Sequence, residues 1–233
     1  MSHAEPSADI RWEDGDVPVS VRYADPYYAR EDGLAETAHV FLQGNRLAER
    51  WGSAASGFQI AELGFGTGLS FLLSWHLWRN VAAPGAELRM TSFEIAPLSR
   101  AQMARALSPW PELAVEAAEL LGRWRGGGVY DFGDARLEVV LGDARETVPA
   151  WKGKADAWFL DGFAPARNPE MWEPQLLAAV GRRTAPGGTL ATYTAAGRVR
   201  RGLAAAGFLL RRVPGFGRKR EITVGSLASD HRG

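Results

Sequence analysis

The sequence predicts an α/β fold, a mostly parallel seven-stranded sheet with helices on both faces and an antiparallel hairpin at its C-terminal end. Three observations carry this expectation. From Gly57 onward, short apolar runs alternate with segments whose apolar residues recur every three to four positions, the pattern of strands that cross over through helices into a parallel sheet. A glycine turn, GFGTG at 64–68, joins the first of those strands to the first long helix. The last two strand-like runs, FLLRRV and REITVGS, are separated only by PGFGRK; a linker that short cannot cross over, so the two pair antiparallel. With 233 residues, 46% of them hydrophobic, the chain suffices for one compact unit with a sizeable core.

Taken in order, residues 1–16 are polar and acidic and are expected to lack order. Residues 17–56 form an extension packed on a core of residues 57–227. In the extension, PVSVRY alternates as a short strand, and a helix-like segment runs from Leu34 through HVFLQGNRLAERW. Its aromatics, with Tyr27 and Tyr28, read as packing or as a lid over a ligand; Asn45 after Gly44 reads as a helix break. In the core, FQIAEL is a strand and LSFLLSWHLWRNV a helix ended by Pro84 and Gly85. ELRMTSFEI is the next strand, and Pro97 precedes the helix LSRAQMARAL. A second helical stretch, ELAVEAAELLGRW, leads to the strand-like VYDF and ARLEVVLGD. A short helix near Arg145 to Trp151 precedes the strand ADAWFLD. PEMWEPQLLAAVGRR is helical, GGTLATYT a strand and VRRGLAAAG a helix.

Composition excludes several chemistries. The chain has no Cys and only four scattered His, so disulfides, thiolate nucleophiles and metal sites are not expected. Ser70 and Ser74 lie on a helix without the sharp turn of a nucleophile elbow. No signal peptide or membrane-spanning run is present, so a cytoplasmic protein is expected. Net charge is zero but unevenly spread: residues 1–150 carry 13 Lys+Arg against 21 Asp+Glu, and residues 151–233 carry 14 against 6. A basic second half hints at an anionic partner.

Four strand ends carry candidate site residues. Glu62-Leu63-Gly64-Phe65-Gly66-Thr67-Gly68 is a turn through which backbone can approach a ligand closely. Its GxGxG spacing, rather than GxGxxG, disfavours pyrophosphate and favours a phosphate-free ligand such as S-adenosylmethionine. Glu94 ends the next strand, where an acid accepts from a ribose diol. Asp143 follows LEVVLG and can accept from an adenine amino group while also capping the following helix. Asp161 ends ADAWFL at the place where the transferred group of such a donor would lie.

ELGFGTGLSFL, SFEIAPLSRA, DAWFLDGFAPARNPEMW, GGTLATYTAAGRVRRGL and GFGRKREI, with VFLQGNRL, resemble the methyltransferase part of the bifunctional tRNA 5-methylaminomethyl-2-thiouridine biosynthesis family. The similarity runs from Val17 to Val224 and is closest in kind to a stand-alone form without the flavin oxidoreductase domain, so no FAD is expected. It implies a class I, Rossmann-like methyltransferase that takes S-adenosylmethionine and methylates the aminomethyl nitrogen of 5-aminomethyl-2-thiouridine at the tRNA wobble position. Glu62, Gly64, Phe65, Gly66, Thr67, Gly68, Glu94, Asp143 and Asp161 would bind the donor, with Asp161 also catalytic. Phe163, Pro165, Arg167, Asn168, Trp172, Arg198, Phe216, Lys219 and Arg220 would face the anticodon arm. The competing readings are a methyltransferase of a small-molecule or protein amine, and a non-catalytic RNA-binding module with a vestigial donor pocket.

Overall fold

The computed structural model describes residues 8–52, 57–217 and 220–228. Its strands are β1 (Ile10–Glu13), β2 (Val17–Ser20), β3 (Gly57–Leu63), β4 (Glu87–Glu94), β5 (Gly128–Asp131), β6 (Ala135–Leu141), β7 (Ala155–Phe159), β8 (Thr184–Thr192), β9 (Phe208–Pro214) and β10 (Glu221–Leu227). β3 to β10 form one sheet in the order β5-β6-β4-β3-β7-β8-β10-β9. β6, β4, β3, β7 and β8 run parallel, and β10 pairs antiparallel with both β8 and β9. The sheet has one strand more than the expected seven. The short turn at Gly133 and Asp134 forces VYDF to fold back antiparallel on β6, with Val129 opposite Glu138, as an added edge.

Each central strand buries both faces, because helices cover both. Phe58 and Ile60 of β3 join Leu72 and Trp75 of the helix Leu69–Val81, whereas Ala61 and Leu63 pack with Trp158, Leu177 and Val180 on the opposite face. Among the described residues, no helix is long and apolar enough to cross a membrane.

The expected disorder before Val17 does not extend to the described residues 8–16. Ile10 pairs with Ser20 and Trp12 with Pro18 across a turn where Gly15 and Asp16 both take positive φ. The polar DGD is therefore a hairpin turn between two alternating runs, and the Arg105 guanidinium lies 4.2 Å over the Trp12 ring. Residues 1–7 lie outside the described residues.

The rest of the extension is stapled to the sheet. After the helix Gly33–Thr37, residues Ala38–Gln43 form a wider π-type turn, and Leu47–Trp51 resumes the helix after Arg46 at φ 55°. Asn45 is buried at the break, and it does more than interrupt the helix. Its amide donates to the carbonyls of Phe41 (3.0 Å) and Trp158 (3.3 Å), and its Oδ1 accepts from Thr189 Oγ1 (2.6 Å). Phe41 stacks on Phe159 of β7 at 5.1 Å.

Candidate active site

At the carboxyl ends of β3, β4, β6 and β7 lies a cavity of about 820 Å³. That is where open α/β sheets bind ligands, and its volume is within the range of small-molecule sites. Gly64 and Gly66 form part of its floor with φ of 83° and 55°, a left-handed backbone that glycine adopts without a Cβ clash. Glu94 organises this turn: its Oε2 accepts from the amides of Phe65 (3.0 Å) and Gly66 (3.2 Å), and its Oε1 from that of Ala96 (2.7 Å). A carboxylate has roughly four lone-pair directions, so three amides leave room for a ligand hydroxyl.

Asp143 caps the helix Ala144–Ala150 through the Arg145 amide (2.8 Å) and pairs with the Arg145 guanidinium (2.6 Å). The hydrogen bond from that guanidinium holds the Asp143 carboxyl below its usual range. Asp161 follows β7, accepts from the Gly162 amide at 2.9 Å and lines the same cavity. Glu62 lies off the wall, fully buried, with Ser92 Oγ donating to its Oε2 at 2.7 Å. Burial pushes this carboxyl well up, and the nearby charges of Asp161 and Glu94 add to the rise.

Among the described residues the cavity wall holds eight carboxylates and three arginines, an environment suited to a cationic ligand. No three metal-ligating side chains converge among the described residues.

A family model described as S-adenosyl-L-methionine-dependent methyltransferase matches residues 114–228. That part of the chain belongs to the S-adenosyl-L-methionine-dependent methyltransferases. It is 48% identical over 227 residues to the tRNA 5-methylaminomethyl-2-thiouridine biosynthesis bifunctional protein MnmC of Pseudomonas paraeruginosa, covering 94% of this chain and 35% of that protein. To the protein of the same name from Caulobacter vibrioides it is 50% identical over 227 residues, covering 95% of this chain and 38% of that one. It thus spans little more than a third of the length of these relatives. The crystal structure of MNMC2 from Aquifex aeolicus superposes with a TM-score of 0.78 at 26% identity, covering 98% of this chain and 73% of that one. A precorrin-6y C5,15-methyltransferase from Geobacter metallireducens, with TM-score 0.52 and 12% identity over 94% of this chain and all of that one, shares the fold.

The methyltransferase brings Gly64, Gly66, Glu94, Asp143, Asp161, Phe163 and Asn168 together on one cavity wall. The fit to a sulfonium donor is physical: a bare glycine backbone on the floor, acids at successive strand ends and a net acidic lining. Phe65, Thr67 and Gly68 lie behind the wall; Phe65 is buried against Trp124 at 5.0 Å. Trp172 is also buried, its indole N–H donating to the Phe163 carbonyl (3.1 Å), so it supports the loop from beneath. Pro165 is buried, and its carbonyl accepts from the Arg198 guanidinium. Arg167 donates to the carbonyls of Ala24 and, at 3.4 Å, Tyr23. These two arginines therefore brace the loop that they were expected to help present to an anion. Phe216 and Arg220 lie in the β9–β10 connection, away from the cavity wall, with Phe216 6.1 Å from the His39 ring. Lys219 is outside the described residues.

Several cavity residues are absent from the sequence-based set. Tyr23, Asp25, Tyr27 and Glu36 come from the extension, and Met171 and Tyr193 from the core. Phe163 is held between two of them, stacked on Tyr23 at 4.8 Å and edge-on to Tyr27 at 5.1 Å. Asp25 Oδ2 accepts from the Ala164 amide at 2.8 Å. Tyr193 donates its hydroxyl to the Gly162 carbonyl, and burial, reinforced by Asp161, raises the hydroxyl pKa. The signal that could have found the extension's part is the density of tyrosines in RYADPYY beside an acid.

Proposed function

We propose that this methyltransferase acts on the aminomethyl nitrogen of 5-aminomethyl-2-thiouridine at the wobble position of tRNA, with the anticodon arm as its docking partner. The observation that carries the reading is the convergence of Asp161, at the head of DGFAPARNPEMW, with Gly64, Gly66, Glu94 and Asp143 on one acidic cavity. The likeness to tRNA-modifying relatives supports the choice of substrate. In this reading Gly64 and Gly66 hold the methionine part of the donor, Glu94 its ribose and Asp143 its adenine. When bound, the donor supplies an electrophilic sulfonium methyl group.

The chain's own contribution is mainly alignment, which can supply roughly 7–11 kcal/mol of a two-reactant barrier. Asp161 accepts hydrogens of the amine and aims its lone pair. A carboxylate favours the ammonium form, so Asp161 orients the nitrogen and relays a proton from it; it does not lower its pKa. The carbonyl of Gly162, held by Tyr193, is a second acceptor at the same end. The deciding experiment incubates the chain with labelled donor and tRNA lacking the modification, followed by nucleoside mass spectrometry. A mass gain of one methyl on the wobble nucleoside is expected, and its absence sinks the substrate assignment.

A further inference from the structure

The two tyrosines that grip Phe163 also face the donor's half of the cavity. A Cβ built on Gly66 would come 3.3 Å from Tyr27 Cδ1, so Tyr27 lies directly against the glycine turn. Tyr23 lines the same cavity as Glu94, Asp143 and Glu170. Burial raises its hydroxyl pKa, Arg22 opposes the rise, and the charges of Glu170, Glu94 and Asp143 add to it. The Arg22 guanidinium lies 5.1 Å from the Tyr23 ring centroid.

This segment is fixed at both ends. The Tyr27 amide donates to the Pro18 carbonyl of β2 (3.0 Å), and Asp25 ties the segment to the Ala164 amide. An aromatic ring held in this way presents apolar area at little entropic cost.

We infer that Tyr23 and Tyr27 are donor-binding residues, forming the outer wall that encloses S-adenosylmethionine against the strand ends. The inference rests on the donor placement proposed above, and it assigns the extension to the donor, where the alternative occupant of this wall would be the nucleobase of the acceptor. The strand-end acids and glycines supply polar contacts on one side of the donor; the tyrosines supply the apolar side and exclude water.

The test uses S-adenosylhomocysteine, the demethylated product, and needs no tRNA. By calorimetry, Tyr23→Ala and Tyr27→Ala each weaken its binding at least about tenfold, an effect of roughly 1.4 kcal/mol. Tyr23→Phe and Tyr27→Phe, which keep the rings, recover most of that loss. In the wild-type chain, where folding is not in question, hydrogen exchange across residues 20–28 slows when S-adenosylhomocysteine is added. Wild-type affinity in both alanine variants overturns the inference, as does a segment 20–28 that is protected by tRNA but not by S-adenosylhomocysteine. Failure of the wild-type chain to bind S-adenosylhomocysteine overturns the donor placement together with this wall. A chain that binds it but does not methylate tRNA refutes only the proposed substrate.

Discussion

Asp161, just past β7, and Glu62, on the neighbouring strand β3, are carboxyl groups in opposite surroundings. Asp161 borders the cavity and is proposed to orient the amine, so Asp161→Ala should retain donor binding by calorimetry while turnover falls by about a hundredfold or more. Wild-type turnover in that variant would remove Asp161 from the mechanism. Glu62 is sealed beneath the turn, and burial raises its pKa in the folded state. Between the unfolded and folded values the folded chain holds a proton that the unfolded chain has lost, so stability falls as pH rises through that window. Glu62→Gln removes this loss. Its melting temperature relative to wild type should therefore climb between pH 4 and pH 8, and a difference independent of pH would exclude the buried acid as the cause. That Glu94, Asp143 and Asp161 line one cavity was legible because each follows or ends a strand whose apolar run is visible in the sequence. The burial of Phe65, Thr67 and Trp172 was not, since whether a side chain near a turn points into a cavity or behind it depends on what packs there.

The extension is the element that local pattern described least well. Its contacts with the core join residues far apart in the chain: Asp25 meets Ala164, and Asn45 meets Trp158 and Thr189. Periodicity reports a face to be buried but not the element that buries it. Hence the aromatics of the extension read first as packing and only second as a lid, and Asn45 as a break. Asn45 now has a sharper expectation. Asn45→Ala removes the side-chain donor to the Trp158 carbonyl and the acceptor of the Thr189 hydroxyl, which keeps only Arg50 as a partner; the loss of these bonds should cost about 2 kcal/mol and lower the melting temperature by roughly 4–8 °C. A thermal scan showing no change would mean that the extension is held to the sheet by its other contacts and not by Asn45. The core helices and strands were legible nearly residue by residue, since the glycine turn, Pro84 and Pro97 punctuate them and both sheet faces are apolar.

Across the whole molecule, charge separates two tasks. The acidic cavity suits cations, the sulfonium of the donor and the amine of the proposed acceptor. The basic second half places Arg201, Arg211 and Arg220, all exposed, on the helix Gly197–Ala205, on β9 and in the β9–β10 connection. This zoning was visible in the sequence as a change of sign between the halves, although Arg167 and Arg198 within it are spent on loop carbonyls. If the exposed arginines track tRNA phosphates, affinity falls linearly with salt on logarithmic axes, by about 0.7–0.9 per phosphate contact. Replacing Arg201 and Arg220 together by alanine should then flatten that slope by about 1.4–1.8 while leaving calorimetric affinity for S-adenosylhomocysteine as it was. Filter binding of tRNA between 50 and 200 mM salt, roughly the range over which phosphate contacts are lost, makes the comparison. An unchanged slope would show that the tRNA phosphates do not run past Arg201 and Arg220.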